Sequence, residues 1–163
     1  MNPRLVVFDL DFTLWDCSNR WCDCLTPPFS RRGERVVDAQ DREVRLYDDV
    51  PNILDECESR ATSMGIASRT EQPTWARELL DLLGVSERFA HAEIYPSSKL
   101  RHFAALQRAT GADYSEMLFF DDELRNIDEV GRLGVVSVHV QQGLTFELFR
   151  EAIRMFGDCS GTA

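Results

Sequence analysis

Apolar positions along the chain follow two alternating patterns. Short unbroken runs at Leu5–Asp9, Ser63–Ala67, His91–Ile94, Met117–Asp121 and Val135–Val140 have the length and composition of buried strands. Between them, apolar residues recur with helical spacing at Val50–Met64, Thr74–Leu83, Ser98–Ala109, Leu124–Leu133 and Thr145–Phe156. The ends of these helices carry their own signals. Pro51 stands in a first turn, Ser98 precedes the third helix, and Gly65, Gly84, Gly111, Gly134 and Gly157 provide the stops. Strands alternating with helices predict an α/β fold on a parallel sheet.

One segment breaks the alternation. Asp16 to Asp49 separates the first strand from its helix. Within it, "RVVDAQDREVRLYDD" predicts a hairpin pairing Val36–Val37 with Val44–Leu46, whereas "CSNRWCDCLTPPFSRRGE" has turn chemistry and reads as loop. This insert is too small for a core of its own, so residues 1–163 are expected to form one domain, with a tail that frays over 157–163.

Composition narrows the function. A net charge of −10 disfavours nucleic acid and anionic membrane as general partners. No apolar run approaches the ~18 residues of a membrane span, and the apolar stretch of "MNPRLVVFDLD" meets acid too early for a secretion signal. Five cysteines, Cys17, Cys22, Cys24, Cys57 and Cys159, cannot all pair within the chain, which suits a reducing, cytoplasmic setting. Seventeen arginines accompany a single lysine, Lys99. Nothing in the sequence sets the oligomeric state.

Ligands of open parallel sheets bind beyond the carboxyl ends of the strands. There the first strand delivers Asp9 and Asp11, which share one side if the chain stays extended. The second delivers Ser68, Arg69 and Thr70, the third leads through "YPSSK" to Lys99, and the fourth delivers Asp121 and Asp122. Four carboxylates against one lysine call for a cation. An oxygen-only donor set suits a hard ion such as Mg²⁺, which commonly bridges to phosphate. Paired carboxylates can supply an acid and a nucleophile together, and aspartate is a known nucleophile toward phosphoryl groups. The pattern predicts phosphoryl transfer, with Ser68, Lys99 and the metal stabilising the transferring oxygens.

"DLDFT", "SRT", the lone lysine and "FFDDE" resemble the four motifs of the haloacid dehalogenase superfamily of aspartate-nucleophile phosphatases. "VFDLDFTLW", "LYDDVP", "EIYPSSK" and "FFDDELRNIDEVGRLGV" are similar to its small magnesium-dependent phosphatases. The resemblance spans about Arg4 to Val140. It implies a three-layer Rossmann-like sheet ordered 5-4-1-2-3 with no large cap. It also implies Asp9 as nucleophile and metal ligand, and Asp11 as general acid and base with its backbone carbonyl at the metal. Thr13 would shape the turn beside the phosphate, and Ser68 and Lys99 would hold phosphoryl oxygens. Arg69 would meet the substrate, with Trp21 as an aromatic wall. Asp121 and Asp122 would complete the Mg²⁺ site, Asp122 being favoured as the direct ligand, with Asn126 and Asp128 behind them. The implied substrates are aryl phosphates such as phosphotyrosine, or phosphorylated sugars attached to protein. A small-metabolite phosphatase with selectivity set by the 16–49 insert is the alternative.

Other chemistries fit less well. A phosphate-binding NTPase loop needs glycines before its lysine, and no cysteine has an arginine six positions downstream, as a cysteine phosphatase would. A phosphoacceptor module that does not turn over would place its acidic pair on the first strand and its lysine near the last. Cys17, Cys22 and Cys24 have zinc-like spacing but no evident fourth ligand, so packing is the favoured reading.

Overall fold

The computed structural model describes residues 1–160. Its centre is β1 (Leu5–Phe8), flanked in parallel by β6 (Ser63–Ser68) and β8 (Met117–Asp121), with β7 (His91–Ile94) and β9 (Val136–His139) at the edges. Counted over these five strands, the order is 3-2-1-4-5, the expected one read from the other edge. Every residue of β1 and β8 is buried, as a sheet covered on both faces requires. Side chains alternate between the two layers. Val6 and Phe8 join a cluster with α1 (Val50–Ser59), α2 (Pro73–Leu82) and α5 (Phe146–Ser160), and Phe8 stacks on Phe120 at 5.7 Å. Leu5 and Val7 face α3 (Lys99–Thr110) and α4 (Leu124–Gly131). No described helix is long and apolar enough to cross a membrane.

Helix ends follow their chemistry. Ser98 caps α3 by accepting from the Leu100 N–H at 3.1 Å, and Gly111 ends it in the left-handed conformation. α1 is shorter than its periodicity predicts. Ala61 takes a positive φ of 54°, the Thr62 N–H returns to the Cys57 carbonyl at 3.0 Å, and Met64 pairs with Val6 inside β6. At the other extreme, α5 does not stop at Gly157 but runs to Ser160, so residues 157–160 are helical where fraying was expected. Residues 161–163 of that expected tail lie outside the described residues.

The insert is more ordered than a loop and hairpin. β2 (Trp15–Asp16), β3 (Ser30–Arg32), β4 (Arg35–Val37) and β5 (Glu43–Leu46) form an antiparallel sheet in the order β2-β5-β4-β3. The β4–β5 pair is the expected hairpin. β3 and a 3-10 turn at Cys22–Cys24 occupy the stretch read as loop. Asp38 organises the turn: its carboxylate accepts from the backbone N–H groups of Thr26, Gln40 and Arg42, each at 2.9 Å, and from Arg42 Nε at 2.8 Å. Trp15, Leu25, Phe29, Val36 and Val44 pack into the same cluster as the main sheet, Phe29 meeting Trp75 of α2 edge-on at 5.9 Å.

Candidate active site

The carboxyl edge of the sheet carries a cleft of about 250 Å³. Asp9 is held in line with β1 because its N–H still donates to the Phe120 carbonyl at 3.0 Å. The extended geometry then ends. Three N–H groups, from Thr13, Leu14 and Trp15, return to the Leu10 carbonyl, and Phe12 takes a positive φ of 60°. Asp11 therefore reaches the cleft from a coil, not by strand alternation, and both carboxylates still line it.

Ser68, Arg69 and Thr70 arrive at the end of β6, Lys99 in the first turn of α3, and Asp122 just past β8. Lys99 is 1% exposed. Its ammonium lies 2.9 Å from Asp9 Oδ1 and 3.1 Å from Asp121 Oδ2, and it also donates to the Ala67 carbonyl. Asp121 sits beneath the cleft, with Oδ1 accepting from the Glu123 N–H at 2.8 Å and Oδ2 from Asn126 Nδ2 at 3.0 Å. Asn126 in turn accepts from Arg69 Nη1 at 3.0 Å, so one chain of contacts runs from the buried acid to the rim.

Burial pushes Asp9 up to about 7. Lys99 pulls against that shift, while Asp122 and Asp11 add to it. Asp121 is also pushed up to about 7, by burial and then by Asp9, and Asp122 to about 6, by burial and then by Asp121. For Lys99 burial acts downward, but Asp9 and Asp121 outweigh it and raise its pKa, so it stays protonated. The carboxylates thus carry more negative charge than one ammonium offsets. Asp9, Asp121 and Asp122 each present an oxygen, all within 4.8 Å of one another. Such a hard-donor cluster in need of positive charge fits Mg²⁺.

Asp11 stands apart from that cluster. Its Oδ1 accepts from Trp15 Nε1 at 2.8 Å and the Cys22 N–H at 2.9 Å, and the Cys17 thiol points to the same atom at 3.8 Å. Burial raises Asp11, partly offset by the bonds from Trp15 and Cys22. Burial and then Asp11 push the thiols of Cys17 and Cys22 well above their usual range, so both remain S–H. Among the described residues, the three cysteines of the insert do not converge as metal ligands: Cys17 and Cys22 are buried and Cys24 is exposed.

Of the residues expected at the site, Asp9, Asp11, Trp21, Ser68, Arg69, Lys99 and Asp122 line one cleft, with Trp21 55% exposed at its rim. Thr13 does not line it. It is fully buried in the coil, where its carbonyl accepts from the Leu144 N–H at 3.0 Å. Asp128 is also absent from the lining, and lies at the surface of α4, 3.9 Å from Arg132. The cleft includes Asp23, Glu71, Glu123 and Arg125, which motif reading passed over. Glu71 follows "SRT", Glu123 closes "FFDDE" and Arg125 stands two residues beyond it, so the quoted motifs contained or adjoined three of the four without giving them a role.

A five-stranded Rossmann-like sheet with this acidic cluster at its carboxyl edge defines a phosphatase of the haloacid dehalogenase superfamily. The chain belongs to the acid phosphatase family, whose model matches residues 1–158. It is 42% identical over 156 residues to magnesium-dependent phosphatase 1 of Homo sapiens, covering 94% of this chain and 87% of that one. It is 40% identical over 146 residues to a HAD-like hydrolase superfamily protein of Schizosaccharomyces pombe, covering 82% and 83%. A HAD-superfamily hydrolase structure from Ehrlichia chaffeensis shares the fold at a TM-score of 0.66 and 16% identity, covering 96% of this chain and 97% of that one.

Proposed function

We propose that the protein is a Mg²⁺-dependent phosphomonoesterase that works through an aspartyl-phosphate, with Asp9 as nucleophile and Asp11 as general acid and base. One observation carries this reading: Asp9 faces an open cleft, touches the sole lysine and lies beside an acidic pair whose charge that one lysine only partly offsets. Asp9, Asp121 and Asp122 would hold the metal, which when bound draws charge from the phosphoryl oxygens. Asp122 is the better candidate for direct contact, because both oxygens of Asp121 already accept hydrogen bonds.

The chain's own groups divide the remaining work. Lys99 keeps Asp9 oriented and offsets charge as phosphoryl oxygens arrive beside it, and the Ser68 hydroxyl donates to those oxygens. Arg69, fixed by Asn126, meets the rest of the substrate. Asp11 gives a proton to the leaving oxygen as Asp9 takes the phosphoryl group, then takes one from the water that releases phosphate. An open cleft with exposed Trp21 on its rim supports aryl phosphates such as phosphotyrosine, or phosphorylated sugars attached to protein, as substrates. A small-metabolite phosphatase is the second reading, favoured by one feature: the insert contributes both Trp21 and Asp23 to the wall. The unpaired thiols of Cys17, Cys22, Cys24 and Cys57 support a cytoplasmic setting.

The test is phosphate release from p-nitrophenyl phosphate and a panel of sugar and aryl phosphates, with Mg²⁺ and with EDTA. Wild type should turn over only with the metal, and Asp9→Asn should fall more than about 100-fold. Turnover that survives in Asp9→Asn would rule out the aspartyl-phosphate route. Stoichiometric phosphorylation without turnover would favour a phosphoacceptor module.

A further inference from the structure

The two oxygens of Asp11 are in unlike surroundings. Oδ1 is surrounded by donors: the Trp15 indole N–H at 2.8 Å, the Cys22 backbone N–H at 2.9 Å and the Cys17 thiol at 3.8 Å. None of these three donates to Oδ2, the Cys22 thiol also bonds the Asp11 carboxyl, and Asp11 lines the cleft. An oxygen that accepts from several donors cannot carry a proton of its own without displacing one of them. Trp15 is fully buried and pairs with Leu46 in the insert sheet, and Cys17 is fully buried beside it, so the donors are held by packing. From these contacts we infer that Trp15 and Cys17 are positioning residues that lock Asp11 by Oδ1 and thereby assign proton transfer to Oδ2.

The inference rests on the aspartyl-phosphate reading above and deepens it. In the first half-reaction an Asp9 oxygen bonds to phosphorus and the bond from phosphorus to the leaving oxygen breaks. The proton on Asp11 Oδ2 passes to that oxygen, leaving Asp11 ionised. In the second, water bonds to phosphorus, one water proton passes to Oδ2, and the bond from phosphorus to Asp9 breaks. Inorganic phosphate departs, and both aspartates return to their starting forms. Neither step requires Oδ1 to exchange a proton. Its donors keep the carboxyl plane from rotating as the charge on Asp11 changes.

The role of Cys17 had no signal in the motif, which ends at Trp15. Its side chain reaches Asp11 because the chain coils after Leu10, and a cysteine two residues beyond the tryptophan then faces back toward the aspartate. A short thiol donates weakly but fits where a longer donor would overfill the core.

The experiment compares kcat/KM for p-nitrophenyl phosphate, whose leaving group needs little help from an acid, with that for phenyl phosphate, whose leaving group needs more. kcat/KM reports formation of the phospho-enzyme alone, so later hydrolysis does not blur the comparison. Trp15→Phe keeps most of the packing and removes the indole N–H. It should lower kcat/KM for phenyl phosphate about 10- to 100-fold while changing that for p-nitrophenyl phosphate about threefold or less. Cys17→Ala should show the same selectivity at smaller size, and Cys17→Ser, which keeps a donor, should recover most of it. Trp15 is buried, so melting temperatures accompany each variant, and the Ala and Ser pair carries the test if Trp15→Phe does not fold. Equal loss on both substrates, or no loss, overturns the positioning role. Asp9→Asn and Asp11→Asn run alongside. If Asp11→Asn is leaving-group selective and the Trp15 and Cys17 variants are not, only this inference falls. If Asp9→Asn keeps its activity, the underlying mechanism falls.

Discussion

Asp38 and Asp9 are both buried carboxylates, and burial pushes both upward, yet they end on opposite sides of the ordinary range. Around Asp38, Arg42 and the N–H groups of Thr26, Arg42 and Gln40 outweigh burial and hold it down at about 2. Around Asp9 a single ammonium is opposed by further acids, and it rises to about 7. The first acid is complete within the protein and the second waits for positive charge, which separates a turn-maker from a reacting group. Asp38→Asn should therefore destabilise the fold by about 1–3 kcal/mol, seen as a lower urea midpoint. The Asp38 contribution is present above its ordinary pKa and is lost as pH falls toward 2, so the gap between wild type and variant should close in acid. A gap that persists there would mean that the carboxylate is not what orders the turn. "DAQDR" announced a turn, but not that its first aspartate would collect donors from Thr26, twelve residues upstream; long-range hydrogen bonding leaves no local signature.

At the scale of elements, what was legible is what local chemistry dictates: the Ser98 cap, the stops at Gly84 and Gly111, and the buried runs of β1 and β8, whereas Gly65 lies inside β6 and stops nothing. β3 was missed because all three of its residues are exposed, so it shows no apolar alternation. α5 overran its expected stop because a glycine inside a helix costs only about 1 kcal/mol relative to alanine, which is not enough to end it. Another glycine joins insert to core. Gly143 follows β9 at a φ of +78°, and a Cβ there would lie within 2.6 Å of three Tyr47 ring atoms. Nearby, the Phe146 N–H at the start of α5 donates to Asp49 Oδ2 at 2.9 Å. Gly143→Ala must strain the backbone and push the insert off α5, at a cost of about 1–2 kcal/mol or more. Gly131→Ala, in α4 with open space around it, should be neutral or stabilising by about 0.5–1 kcal/mol. Thermal melts of the pair check this, and equal melting temperatures would remove the proposed wedge.

For the molecule as a whole, the acidic cleft sits in a chain already ten charges negative, so the fold bears a standing electrostatic cost that a bound cation relieves. The folded-state values of Asp9, Asp121 and Asp122, near 7, 7 and 6, lie above the ordinary 3.8, so the folded state binds protons more tightly than the unfolded one between those limits. With the unfolded state holding fewer protons, this site's contribution to metal-free stability falls as pH rises through that window. The rise in melting temperature from Mg²⁺ over EDTA should accordingly grow between about pH 5 and about pH 8. A rise independent of pH would mean that the cation binds elsewhere. Asp9, Asp121 and Asp122 were readable because strand ends converge in a parallel sheet, whereas the Trp15 and Cys17 contacts to Asp11 were not, because they arise from a coil that the pattern did not predict. The burial of Lys99 has a practical side as well. It is the chain's single lysine, sealed at 1% exposure by the groups it serves. Reagents that acylate amines find no other side-chain amine, so the rate at which Lys99 itself is labelled, read apart from the α-amino group by peptide mapping, is a clock for how often the cleft floor opens.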